Sequence, residues 1–117
     1  MSGTQNQDKI TLEAMRQSLY SAVICDALDA VGLTRQSPNV SLRPLVKDCV
    51  LVGRCRTTLW EDLFERDPEP YKLELQAVDA CESDDVLIAA ATGSMRSGIW
   101  GELLSTAARS QGCVGAI

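Results

Sequence analysis

The stretch Gly93–Leu104, GSMRSGIWGELL, stands between an apolar run, Val86–Ala91, and a helical pattern that continues to Gln111. Gly93, Gly98 and Gly101 all fall at this junction. A strand that feeds a glycine-relaxed turn and then a helix leaves the first N–H groups of that helix unpaired. With the helix dipole behind them, such amides attract a carboxylate or a phosphate. The alternative use of the stretch is a structural turn, in which glycine only supplies unusual dihedral angles. Neither a Walker pattern nor GxGxxG is present to decide between them.

The helix has two candidate starts. With Ser97 as its cap, the free amides would be those of Gly98 to Trp100, and Glu102 would lie a full turn inside. With a start near Gly101 they belong to Glu102, Leu103 and Leu104. A glycine inside a helix costs about 1 kcal/mol relative to alanine. The later start is therefore expected, with Gly98–Trp100 irregular. Two stripes run along the helix, Ile99–Leu103–Ala107 and Trp100–Leu104–Ala108, and Gly112 is placed to end it. Cys113–Ile117 then reads as another apolar strand, so the order strand, helix, strand implies a right-handed parallel crossover.

Earlier in the chain, residues 1–10 are expected to be a flexible terminus and 11–117 a single domain. Thr11 can cap a helix carrying Leu12, Met15 and Leu19. Ser21 offers a second cap, for a helix through Val23, Ile24, Ala27, Leu28 and Val31 that Gly32 closes. Asp26 and Asp29 share a face of this helix, as cation ligands or, more commonly for such a pair, as a solvated acidic face. After a loop at Thr34–Leu42, Pro44 opens an extended segment. Val46, Val50, Val52, Gly53 and the alternating Cys55, Thr57 and Leu59 suggest one or two strands. Arg54 and Arg56 would share one side of a strand, where they could meet an anion or stand as exposed edge charges. Asp62–Pro70 reads as an acidic surface loop or active-site rim, Tyr71–Ala80 as a helix, and Ser83-Asp84-Asp85 as a turn into the strand Val86–Ala91. Arg96, just before the helix start, is a further substrate-binding candidate.

Composition removes several functions. The net charge is −5 with no run of Lys or Arg, so nucleic-acid binding is disfavoured. No histidine is present, which excludes a Ser-His-Asp triad, a Cys-His pair and an HExxH zinc site within this chain. The five cysteines contain no CxxC. Cys49 and Cys55 on one strand would stand about 20 Å apart, too far for a disulfide. Most of the five read as small buried apolar groups in a reducing compartment. No signal peptide and no membrane-length apolar run is seen, and a cytoplasmic protein is expected.

Taken together, CDALDAVGL at 25–33, LVGRCRT at 51–57, DDVLIAAATG at 84–93 and GIWGELLSTAARSQGCVGAI at 98–117 resemble the RraA-like family. That family holds the regulator of ribonuclease activity A and 4-hydroxy-4-methyl-2-oxoglutarate aldolase. The resemblance covers about Met15 to Ile117 and is most specific in the last twenty residues. It implies a fold of the α/β class, a β/β/α sandwich of the swivelling-domain type, incomplete here at the C-terminus, and a homotrimer or homohexamer.

The resemblance also implies a site. In the aldolase members a Gly-Asp/Glu-x-Leu turn binds the carboxylate of pyruvate through backbone amides. Gly101, Glu102, Leu103 and Leu104 match it and become the expected substrate-binding residues. Glu102 is the expected catalytic residue and, through water, a ligand of a divalent metal, Mg²⁺ or Mn²⁺. Family members carry an Arg-Asp pair about twenty residues further on, whose Asp ligates the metal. This chain ends before that pair would fall. It is expected to be a fragment of a longer protein rather than a member that has lost catalysis, and to be inactive alone. The function implied is a lyase cleaving 4-hydroxy-4-methyl-2-oxoglutarate to pyruvate, with oxaloacetate decarboxylation as a side activity. The alternative is a non-catalytic regulator that binds a ribonuclease or another protein. A methyltransferase reading finds no glycine-rich loop after an early strand.

Overall fold

The computed structural model describes residues 10–117; apart from Ile10, the expected flexible terminus lies outside the described residues. In the unit Met1–Val50, α1 spans Leu12–Ser18 and opens on Thr11, whose hydroxyl accepts the Ala14 N–H at 3.1 Å. Glu13 in its first turn holds Arg16 at 3.3 Å and Gln17 at 2.8 Å.

α2 spans Ser21–Ala30, and its cap is Tyr20 rather than Ser21. Both linker residues, Leu19 and Tyr20, are extended, so the backbone turns helical at Ser21 and the serine becomes the first helical residue. Gly32, at φ +83°, closes α2. Its N–H reaches Asp29 O at 3.0 Å and the Leu33 N–H reaches Leu28 O at 2.9 Å, the paired bonds of a Schellman closure. Asp26 and Asp29 are exposed.

The unit Leu51–Ile117 holds β1 (Arg54–Leu59), α3 (Lys72–Asp79), β2 (Asp85–Ala90), α4 (Glu102–Ser110) and β3 (Gly115–Ala116). The strands form one parallel sheet in the order β1-β2-β3. Its register pairs Arg54 with Asp85, Leu59 with Ala90 and Val86 with Gly115. The architecture of the described residues is mixed α/β, a small parallel sheet with four helices.

The extended segment expected from Pro44 contributes one strand only, since Val46, Val50 and Val52 lie outside β1. A strand needs a partner for its ladder. The ladder with β2 begins at Arg54, opposite Asp85, and β1 begins with it.

Side chains alternate across β2. Leu87, 1% exposed, forms the core with Val78 of α3, Ala108 of α4 and Cys81. Trp100, Leu104, Ala107 and Cys113 pack against that cluster. The inward stripe of α4 is therefore Trp100–Leu104–Ala108, joined by Ala107, and Leu103 of the other stripe is 87% exposed. α4 ends as expected at Gly112, φ +96°, with bonds from Gly112 N to Arg109 O (3.0 Å) and from Cys113 N to Ala108 O (3.0 Å).

Candidate site at the start of helix α4

In a parallel sheet, ligand-binding groups gather where the strands end and helices begin. Here that edge carries the loops from β1 to α3 and from β2 to α4. The second loop leaves β2 through Thr92 (φ 52°) and Gly93 (φ +81°), a left-handed pair that turns the chain sharply.

Gly98–Trp100 is irregular and α4 begins at Glu102, with Gly101 as its extended N-cap. No side chain caps this end. The first backbone bond into the helix runs from Ser105 N to Gly101 O at 3.0 Å. The amides of Glu102, Leu103 and Leu104 thus precede the first intrahelical bond, as the later start requires. Gly101 has φ −163°, extended backbone open to any residue. A Cβ added there would meet nothing within 4 Å. Neither the fold's dihedrals nor its packing needs glycine at this position.

A short relay fixes the peptide of Gly101. Trp100 Nε1 donates to Ser105 Oγ at 2.9 Å, and that hydroxyl donates to Gly101 O at 2.8 Å. Trp100 itself is half-buried against the core, and with Ser105, Arg109 and Val114 it also lines an open cavity of about 380 Å³. Glu102 and Leu103 are exposed and Leu104 is half-buried.

The two loops are tied together beside this start. Ser94 Oγ lies 2.9 and 2.8 Å from the two carboxylate oxygens of Asp62. The N–H of Arg96 reaches Ser94 Oγ at 3.3 Å, and its guanidinium stacks 4.9 Å from the centre of the Phe64 ring. Stacking of this kind leaves the edge of a guanidinium free for an anion.

The residues do not assemble a metal centre by themselves. No three of the His, Cys, Asp and Glu side chains among the described residues gather to hold an ion. Mg²⁺ takes about six oxygens, and Glu102 supplies one carboxylate. Asp26 and Asp29 belong to no such group either.

Asp85 stands at the opposite end of the strands. Arg54 and Arg56 do meet an anion, and it is the buried Asp85 carboxylate, held by Arg56 Nη2 at 2.8 Å, with Arg54 Nε at 4.0 Å. The Glu82 N–H donates to the same carboxylate at 2.9 Å. That bond and then the Arg56 bonds hold the Asp85 carboxyl below its ordinary value. Asp85 is the first residue of β2 rather than the last of a turn. Two arginines spaced two apart and an acidic residue opening the next strand were the signal for this pair.

None of the helices among the described residues is long and apolar enough to cross a membrane. A model of the RraA-like family, described as Aldolase/RraA, matches residues 21–117. No curated protein and no solved structure matches the chain.

Proposed function

The chain belongs to the RraA-like (Aldolase/RraA) family, and from that premise we propose that it carries the carboxylate-binding site of a 2-oxo-acid lyase. The reaction proposed is cleavage of 4-hydroxy-4-methyl-2-oxoglutarate to pyruvate, with oxaloacetate decarboxylation as a side activity. The observation that carries this reading is the uncapped start of α4 at an N-cap glycine that the fold itself does not require.

The amides of Leu103 and Leu104 donate to the substrate carboxylate, and the dipole of α4 favours its charge. Gly101 leaves room for the carboxylate to approach the backbone. Retro-aldol cleavage and decarboxylation each break a carbon–carbon bond and leave the same pyruvate enolate, which takes a proton at its terminal carbon. Glu102, exposed at the first position of α4, is the group proposed to move that proton.

In the proposed intact enzyme a divalent cation, Mg²⁺ or Mn²⁺, supplies Lewis-acid stabilisation of the enolate. Glu102 would be one of its ligands, through water. The donor set of the described residues does not complete such a site. The intact domain is proposed to be a β/β/α sandwich assembled as a homotrimer or homohexamer. Its proposed compartment is the cytoplasm, which the five free cysteines support.

Calorimetric titration of pyruvate into the wild type and Gly101→Val tests the reading. Weaker binding with an unchanged fold is the expected result, and equal affinity in the two proteins removes the proposed site. Titration of Mg²⁺ and Mn²⁺ into this chain is expected to show weak or no binding. Micromolar affinity would reveal a ligand set other than the one around Glu102.

The second reading, a regulator that binds a ribonuclease or another protein, is supported by a different feature: Glu61, Asp67, Glu69 and Glu74 line one cavity beside α3.

A further inference from the structure

Between the end of β1 and the face of α3 lies a cavity of about 470 Å³. Leu59, Trp60, Leu63 and Leu73 give it an apolar lining. The three leucines remain 66%, 65% and 78% exposed. Trp60 is held in place, since its Nε1 donates to Thr58 Oγ1 at 2.8 Å and that hydroxyl donates to Ile88 O at 2.9 Å.

Four carboxylates, Glu61, Asp67, Glu69 and Glu74, line the same cavity, and no Lys or Arg does. Two of them are engaged: Asp67 accepts the Glu69 N–H at 2.8 Å, and Glu69 pairs with Lys72 at 2.7 Å. Glu61 and Glu74 make no ion pair among the described residues.

Exposed leucines beside a fixed indole call for an apolar cover, while a cover that carries no positive charge would strip water from the carboxylates around them without pairing them. A metal ion would leave the leucines in water. A neutral organic molecule would desolvate carboxylates without pairing them, which is unfavourable. A second copy of this chain carries net charge −5 and no run of Lys or Arg, so it lacks the complementary charge.

We propose that this groove docks a basic amphipathic segment of a protein partner. Its apolar side chains cover Leu59, Leu63 and Leu73, and its Lys or Arg side chains reach Glu61 and Glu74. Trp60 adds a ring face on which a cation can rest. This proposal rests on the second, partner-binding reading; the groove involves no residue of the α4 start, so its test and that of the lyase reading fail separately.

The probe is a synthetic peptide of about fifteen residues, Leu and Lys at helical spacing, followed by anisotropy of a dye on the peptide. Wild-type protein is expected to bind it with a Kd that rises with salt. Glu61→Gln/Glu74→Gln should raise that Kd about tenfold, a loss of about 1.4 kcal/mol. Asp26→Asn/Asp29→Asn changes net charge equally, on the exposed face of α2, and should leave Kd within about twofold, the scale of a screened surface charge. Leu73→Ser, which removes an exposed apolar group without altering charge, should also weaken binding. Circular dichroism checks that each variant keeps its fold. Equal losses from the two charge pairs would reduce the effect to net charge and overturn the proposal. So would unchanged binding in Leu73→Ser, absence of binding to the wild type, or displacement of the peptide by equimolar spermidine, which would assign the groove to small polyamines.

Discussion

Arg56 donates to a single carboxylate oxygen of Asp85 from two nitrogens, Nε at 3.0 Å and Nη2 at 2.8 Å. The pair joins β1 to β2 diagonally, because the register places Asp85 opposite Arg54. The carboxyl is held below its ordinary value by the Glu82 N–H and by Arg56. A depressed folded value means that the stabilisation is complete above the unfolded carboxylate range and is lost as pH falls through it. Urea unfolding between pH 7 and pH 3 should show a midpoint that drops at the acid end. Asp85→Asn should lower the midpoint at pH 7 and flatten that acid dependence.

Cys81 should be the least reactive thiol. Burial, and then its hydrogen bond with Cys113, push it up to about 11. Its Sγ also donates to Ala77 O at 3.3 Å. Contrary to the expectation of mostly buried cysteines, Cys25, Cys49 and Cys55 are exposed; thiolate is the reactive form, so alkylation at pH 8 should label these three first. Cys81 should react only after unfolding, as peptide mass spectrometry would read. A raised folded value also means stability lost as pH climbs from 9.0 toward about 11.

Three glycines should rank clearly on substitution by alanine. At Gly53 a Cβ would collide with the Asp84 carbonyl oxygen and lie 2.7 Å from Val86 Cγ2, an overpacking cost of about 1–3 kcal/mol. At Gly112 it would lie 2.8 Å from Ser83 Cα, on backbone at φ +96°. Left-handed backbone alone costs about 1–2 kcal/mol, and Gly112→Ala adds a clash to it. Gly32, at φ +83° with open space around it, should lose the backbone part only. Urea midpoints should therefore place Gly112→Ala below Gly32→Ala.

Ser105→Ala removes the relay between Trp100 Nε1 and Gly101 O. The expected loss is about 0.5–1.5 kcal/mol, the scale of one such hydrogen bond. Unfolding followed by tryptophan emission measures it.

Assembly is the remaining expectation. Met95 is 94% exposed and Leu103 87%, beside a core of few buried side chains, and apolar surface of that kind favours sister subunits. Light scattering should find a trimer or hexamer of the intact protein; a stable monomer at micromolar concentration would remove this expectation.

Local chemistry made much of the second unit legible in the sequence. The apolar run Val86–Ala91 led to β2. Glycine's helix penalty placed the start of α4 at Glu102, and Gly112 marked its end. Pairings between distant segments were harder to read. Period-two spacing put Arg54 and Arg56 on one side of a strand, but only the register with β2 shows that their anion is Asp85. Asp62–Pro70 was recognisable as an acidic rim; that it faces leucines of β1 and α3 across a cavity depends on a fold-back that spacing does not encode.

The two ends of the parallel strands differ in how freely they can vary. At the amino end, Gly53 lies against Asp84, Gly112 against Ser83, and Asp84 N bonds Gly112 O at 3.0 Å. Insertion there would prise apart backbone in direct contact. At the other end, residues 60–71 and 91–101 are long loops that carry the groove and the approach to α4. The chain therefore has a sterically constrained base and a more open crown. Grafting new loops at the crown should change what this scaffold recognises while the strands beneath keep their register.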